Sequence, residues 1–210
     1  MKRKASLYIK CSLLLLAFIL AGTNSVFAQD EENNGMKGTE TPSFQESSDA
    51  EKCFVFSKYV VKTIQNEDGG EKISVYRRDA STSAEDACQT TGRAYLNVND
   101  SDNYFFYGLS GSLLFIDSGT SVESRGLEIY NLTSRKSIFN ESYTGDPKLV
   151  GGRFVSFDSP SDKKGPLRTC KEAAKWKRDG GGVGWVQGQK LDLQTMKLIN
   201  VGVLRCVYMQ

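Results

Sequence analysis

The chain contains no histidine. No side chain therefore titrates near neutrality unless its surroundings shift it. The Ser-His-Asp triad, the Cys-His pair and His-ligated zinc are excluded together. Carboxylates, hydroxyls and cations are left to do chemistry. One carboxylate stands at a marked place: the run Leu114-Phe115-Ile116-Asp117-Ser118-Gly119-Thr120-Ser121 delivers Asp117 from an apolar stretch into a turn. Two such carboxylates close enough to share a proton would make an acid–base pair. The cations gather in Lys163-Lys164-Gly165-Pro166-Leu167-Arg168-Thr169-Cys170-Lys171-Glu172-Ala173-Ala174-Lys175-Trp176-Lys177-Arg178, seven of them against one acid. On a helix Lys171, Lys175 and Arg178 share one face while Trp176 points elsewhere, toward a sheet. That face is a candidate seat for an anionic glycan, a lipid headgroup or an acidic protein patch; a solvated helix surface is the plainer reading.

Over residues 114–121 the Asp117 stretch resembles the Asp-[Ser/Thr]-Gly-[Thr/Ser] loop of the aspartic peptidases. The resemblance implies a catalytic dyad with Asp117 as one member. No second Asp-Ser-Gly copy exists, so only a homodimer of the retroviral type could complete it. Glu123 and Arg125 stand where that family pattern is apolar. The simpler expectation is a turn between two strands, with Asp117 capping its own backbone and Gly119 taking positive φ. Gly108-Leu109-Ser110-Gly111-Ser112 resembles half of a nucleophile elbow, but it lacks the closing glycine and a histidine base, and reads as a turn with two serines. The Gly180–Gly184 run follows a helix instead of preceding one, so no phosphate loop is expected. Neither a cofactor nor a metal is implied.

The elements that must position these groups begin after an address. Lys2, Arg3, Lys4 and Lys10 precede an apolar region, Leu13–Gly22, and Val26-Phe27-Ala28 follows with small residues at the cleavage positions. This reads as a signal peptide over residues 1–28. The apolar region is too short for a membrane span, which needs about 20 residues. Removing the leader turns 27 basic against 25 acidic residues into 23 against 25, a net −2. Such a balance gives no ground for nucleic acid or for stable membrane insertion. Residues 29–51 carry seven acids and almost nothing apolar beyond Met36 and Phe44. That composition predicts a disordered acidic linker. Residues 52–210 then form a single β-rich domain with 22 basic and 18 acidic residues.

Four cysteines remain after the leader, an even set that an exported protein uses as disulfides. Four allow three pairings. The near-equal spacings of 35 and 36 residues favour Cys53–Cys88 and Cys170–Cys206. Strands are predicted at Phe54–Ile64, Lys72–Arg77, Arg93–Val98, Asn103–Leu109, Ser112–Ile116, Leu127–Leu132, Ser137–Tyr143, Arg153–Phe157, Val183–Gln187, Lys190–Leu193 and Lys197–Tyr208, because turn formers cut the apolar runs into short pieces. Capping-box patterns at Thr82–Glu85 and Thr169–Glu172 predict two short helices. Asn131–Ile138 and Asp192–Ile199 share the pattern [Asn/Asp]-Leu-x-x-x-Lys-x-Ile and both read as strand, polar turn, strand. Such hairpins occur in β-propeller blades, but the chain cannot supply four blades, and a chance likeness is expected. The predicted fold is mainly β, an antiparallel sandwich or barrel-like body with two short helices.

Three functions of different class fit this reading. The first, reached by elimination, is an exported, periplasmic or secreted, non-enzymatic binding or inhibitor-type module. It would present loops such as Ser118–Gly126 and Gly145–Gly152 to a protein or an anionic envelope glycan. The others are a homodimeric aspartic-type peptidase using Asp117 and a structural component of the cell envelope.

Overall fold

The computed structural model describes residues 35–67, 69–98, 103–121 and 124–209. The expected signal peptide and the start of the expected linker lie outside them. Twelve strands and two short helices are described. The first sheet runs β1 (Phe44–Ser47), β2 (Glu51–Val55), β3 (Tyr59–Gln65), β4 (Glu71–Arg77), β5 (Leu96–Val98). The second runs β6 (Tyr104–Ser110), β7 (Leu113–Ser118), β8 (Arg125–Asn131), β9 (Lys136–Val150), β10 (Phe154–Pro160), β11 (Gly182–Asp192), β12 (Lys197–Met209). Helices α1 (Ala84–Cys88) and α2 (Ala173–Arg178) interrupt them. Every strand pairs antiparallel with its sequence neighbour within its sheet. Both expected disulfides form, Cys53–Cys88 and Cys170–Cys206. The predicted sandwich of antiparallel strands is what the sequence builds.

Several boundaries differ from the expectation, and β1 forms inside the expected disordered linker, residues 29–51. The predicted strand Phe54–Ile64 is two strands, because the chain reverses at Phe56-Ser57-Lys58, where the Phe56 N–H donates to the Tyr59 carbonyl at 2.8 Å. Phe56 is buried, so the apolar pattern runs unbroken through the turn and hides it. Val183–Gln187 and Lys190–Leu193 are one strand, with Gly188 paired inside the ladder. Gly145–Gly152, expected as a loop, is mostly the second half of β9. That strand pairs with β8 up to Tyr143 and with β10 from Thr144 on. It bends between the two, with Gly145 at φ +74° and a register shift in β10 between Ser156 and Asp158. Pro147, which has no N–H to donate, falls in that interruption of the ladder.

Three consecutive meanders share one pattern. Tyr59↔Arg77, Leu113↔Asn131 and Phe154↔Asp192 are corresponding pairs at the hairpin ends. In each meander the N–H just after the third strand donates back to the turn before the second. Arg78 reaches the Lys58 carbonyl at 2.9 Å, Leu132 reaches Ser112 at 2.8 Å, and Leu193 reaches Arg153 at 2.9 Å. The meanders stack by their faces. Leu114 and Ile116 of β7 join Val61, Ile73 and Val75 of the first meander in one core cluster. Phe115, pointing the opposite way, joins Leu149, Val155 and Leu191 of the third in another. At the corresponding positions of the third meander, Phe115 and Ile129 give way to Ser156 and Lys190. The opposite end of the stack is closed by α1 and the Cys53–Cys88 bridge. The helix cap sits one residue later than predicted: Ser83, not Thr82, is the N-cap, and its Oγ accepts from the Asp86 N–H at 3.0 Å.

The [Asn/Asp]-Leu-x-x-x-Lys-x-Ile likeness, expected to be chance, is one turn made twice. Asn131 Oδ1 accepts from the Thr133 N–H at 2.8 Å, and Asp192 Oδ1 accepts from the Gln194 N–H at 3.0 Å. Arg135 and Met196 take left-handed φ of +56° and +54°, and each donates 2.7 Å back to the opening residue's carbonyl. Asp192 also receives Arg153, Nε to Oδ1 at 3.2 Å and a second guanidinium nitrogen to Oδ2 at 2.6 Å. Arg153, with the turn N–H groups, holds the Asp192 carboxyl down at about 2. Its stabilisation is therefore complete above the ordinary carboxylate value, near 3.9, and is lost as pH falls through about 2. Arg153→Gln should lower the urea midpoint at pH 5 and bring the two proteins together below pH ~2, where Asp192 is protonated in both. Parallel curves at every pH would show that the pair contributes nothing.

Candidate functional site

Asp117 does not cap its own backbone. It lies within β7 at 8% exposure, and Gly119, at φ +90°, makes the turn that follows. Arg125, at the start of β8, grips it from the paired strand: Nε meets Oδ1 at 2.8 Å and a terminal nitrogen meets Oδ2 at 2.6 Å. The Tyr143 hydroxyl donates to Oδ1 at 2.8 Å, and Tyr107 stacks on Tyr143 at 6.4 Å. Burial raises the Asp117 carboxyl above its ordinary value while Tyr143 and Arg125 pull it back, and among the described residues no second carboxylate acts on it. Burial also pushes Tyr107 up to about 12, and Tyr143 higher still. A dyad needs a carboxylate whose oxygens face a partner carboxylate. Here both oxygens are occupied by a guanidinium and a phenol. Arg125, which departs from the peptidase pattern, is the residue that sets the role of Asp117. Gly108–Ser112 is the end of β6 and its turn into β7, as the plainer reading had it.

The internal correspondence of the meanders exposes a second region. Between β7 and β8 the chain needs residues 119–124; at the matching place between β10 and β11 it runs over 161–181. This insertion contains the whole basic run. Cys170 ties it to Cys206 of β12 across a Cα separation of 5.7 Å. Trp176 meets the Tyr208 ring in a T arrangement at 6.1 Å, so it does pack on the sheet. Gly165 lies against the Trp185 ring, where a Cβ would come within 2.4 Å of a ring carbon.

The predicted helix face is only partly formed. α2 begins at Ala173 with Glu172 as an N-cap that makes no side-chain bond, and Thr169 Oγ1 donates instead to the Pro166 carbonyl at 2.7 Å. The second capping box is therefore not made. Lys175 and Arg178 lie on α2 and Lys171 precedes it, all exposed. Among the described residues, none of the seven cations enters an ion pair.

Beside the insertion lies a cleft of about 650 Å³. Ser121 and Ser124 of the β7–β8 loop line it, as do Ser159 and Ser161, which lead into the insertion. Tyr208, Trp185 and Pro160 contribute an aromatic and apolar wall, and Glu141 and Asp162 add carboxylates; among the described residues no Lys or Arg lines it. Of the two loops expected to face a partner, Ser118–Gly126 reaches this cleft, whereas Gly145–Gly152 is strand. The sequence signal for the cleft was the repeated turn: once Asn131 and Asp192 are matched, the unequal loops before them become visible. Tyr208 carried no such signal, standing in a long apolar strand. Comparison with protein-family models, with curated proteins and with solved structures finds no match to this chain.

Proposed function

We propose that the protein is an exported, non-enzymatic binding module whose recognition surface is the 161–181 insertion with the cleft beside it. The observation that carries this reading is the insertion itself. A long loop pinned at its middle by a disulfide, on a rigid stack of strands, and bearing seven cations that have no ion-pair partner among the described residues is preorganised for an anionic partner. Among such partners an acidic envelope glycan suits it best, because hydroxyl-rich, aromatic surface continues from the cations into the cleft. Two disulfides support an oxidising compartment. Among the described residues no helix is long and apolar enough to cross a membrane.

The test is calorimetric titration with an oligogalacturonate, comparing the native protein with the triple variant Lys171→Glu, Lys175→Glu, Arg178→Glu. The variant should bind at least about tenfold more weakly, and native affinity should fall steeply between about 50 and 300 mM salt. Salt-insensitive binding, or an unchanged triple variant, would remove the insertion from the site.

A further inference from the structure

Resting on that reading, we infer that the cleft is a second, uncharged subsite: it takes a neutral pyranose unit of a glycan, stacked on Tyr208, while acidic units face the insertion. The charge distribution separates the two tasks. Every cation of the basic run lies outside the cleft lining, and among the described residues the charged groups within it are Glu141 and Asp162. An anion is therefore repelled from the cleft, while sugar hydroxyls find carboxylate acceptors and serine hydroxyls that both donate and accept. A volume of about 650 Å³ is within the range of small-molecule sites and open to a chain passing through.

Tyr208 is the ring built for stacking. It is 43% exposed, yet held from two sides, by Trp176 in its T contact and by Gly181, where an added Cβ would fall 2.1 Å from a ring carbon. A ring fixed on the protein side and open on the other presents apolar area at little conformational cost. The Cys170–Cys206 bridge sits two residues from Tyr208 and fixes the element that carries Trp176. Trp185, at 6% exposure and covered by Gly165, backs the wall without offering its own face.

The experiment titrates hexamers of three neutral series, cello-, malto- and chito-oligosaccharide, and the acidic oligogalacturonate into the native protein, Tyr208→Ala, Tyr208→Phe, Gly181→Ala and the triple charge variant. At least one neutral hexamer should bind with an affinity indifferent to salt. Tyr208→Ala should weaken it about tenfold or more, Gly181→Ala should weaken it by unseating the ring, and Tyr208→Phe should retain it. The triple charge variant should leave it within about twofold, since its cations lie outside the cleft. Failure of all three neutral series at up to about 10 mM, far weaker than any useful site, overturns the inference. So does neutral binding that ignores Tyr208→Ala. Salt-sensitive oligogalacturonate binding that persists in Tyr208→Ala, with no neutral hexamer bound, leaves the basic insertion as a site and removes only the cleft. Absence of all binding removes both.

Discussion

Replacing Arg125 with alanine should destabilise the protein by about 3 kcal/mol at neutral pH, and by less in mild acid. Removing one partner of a buried ion pair typically costs 3–5 kcal/mol, because the other charge is left desolvated. The Arg125 side chain is about one-third exposed, at 33%, so the lower end applies. The Asp117 side chain, at 11%, cannot recover its hydration by a small movement, and among the described residues the Tyr143 phenol is the side-chain hydrogen-bond partner left to it. Burial already raises the Asp117 carboxyl in the native protein. A raised folded-state value favours the fold most below the ordinary carboxylate range, and that advantage is lost as pH climbs through the raised value. Without Arg125 the value rises further, so the defect should be smaller near pH 4 than near pH 7. Adding Asp117→Asn to Arg125→Ala should recover part of the loss, since the buried charge is then gone. Urea unfolding of the native protein and the two variants at both pH values measures this. An Arg125→Ala protein with native stability at pH 7 would mean that the pair is effectively solvated.

How far the sequence made this legible varies with the kind of signal. Strand boundaries set by Gly, Asn and Asp were readable: Lys72–Arg77 and Lys197–Tyr208 lie within a residue of β4 and β12. The disulfides were readable because matched spacings join strand to helical segment twice. The turn at Phe56-Ser57-Lys58 was not, since its first residue is itself core. The bend in β9 is hidden for the opposite reason. Gly145-Asp146-Pro147 carries every sign of a loop, and only the interrupted ladder with β10 allows a strand to pass through it.

The candidate site divides along the same line. Composition placed seven cations together, but it could not show that they ride on an insertion, nor that Lys171 lies off the helix. That required two copies of one hairpin to be superposed by register. Asp117 was singled out by a short pattern whose chemistry depends on a neighbour in space. Its neighbour is Arg125 of the adjacent strand, whose guanidinium meets both carboxylate oxygens. A motif names an atom; the paired strand decides what that atom meets.

The segment expected to be a disordered linker carries the other large effect. From Gly35 onward it is laid along the body. The Met36 N–H reaches the Tyr107 carbonyl at 2.6 Å, the Leu149 N–H reaches the Lys37 carbonyl at 2.8 Å, and the Glu40 N–H reaches the Leu109 carbonyl at 2.8 Å. The strap thus joins β6 of one meander to β9 of the next. Gly38 is needed where it crosses: φ is +89°, and a Cβ would sit 2.0 Å from the Leu149 carbonyl oxygen. Met36 is 2% exposed and belongs to the cluster between the second and third meanders. Acidic composition predicts disorder because such chains have too little to bury, yet the buried methionine, these backbone hydrogen bonds and the pairing of β1 with β2 offset the ordering cost here. Met36→Ala should therefore cost about 3 kcal/mol, as buried Met-to-Ala changes do, whereas Met36→Leu should cost less than about 1.5. The melting temperature of the alanine variant should fall by roughly 6–12 °C. The Glu40 amide, exposed to exchange if the segment were a tether, should be protected in the native protein and lose protection in Met36→Ala. Equal melting temperatures for the alanine variant and the native chain would show that the strap rests on the surface without holding the meanders together.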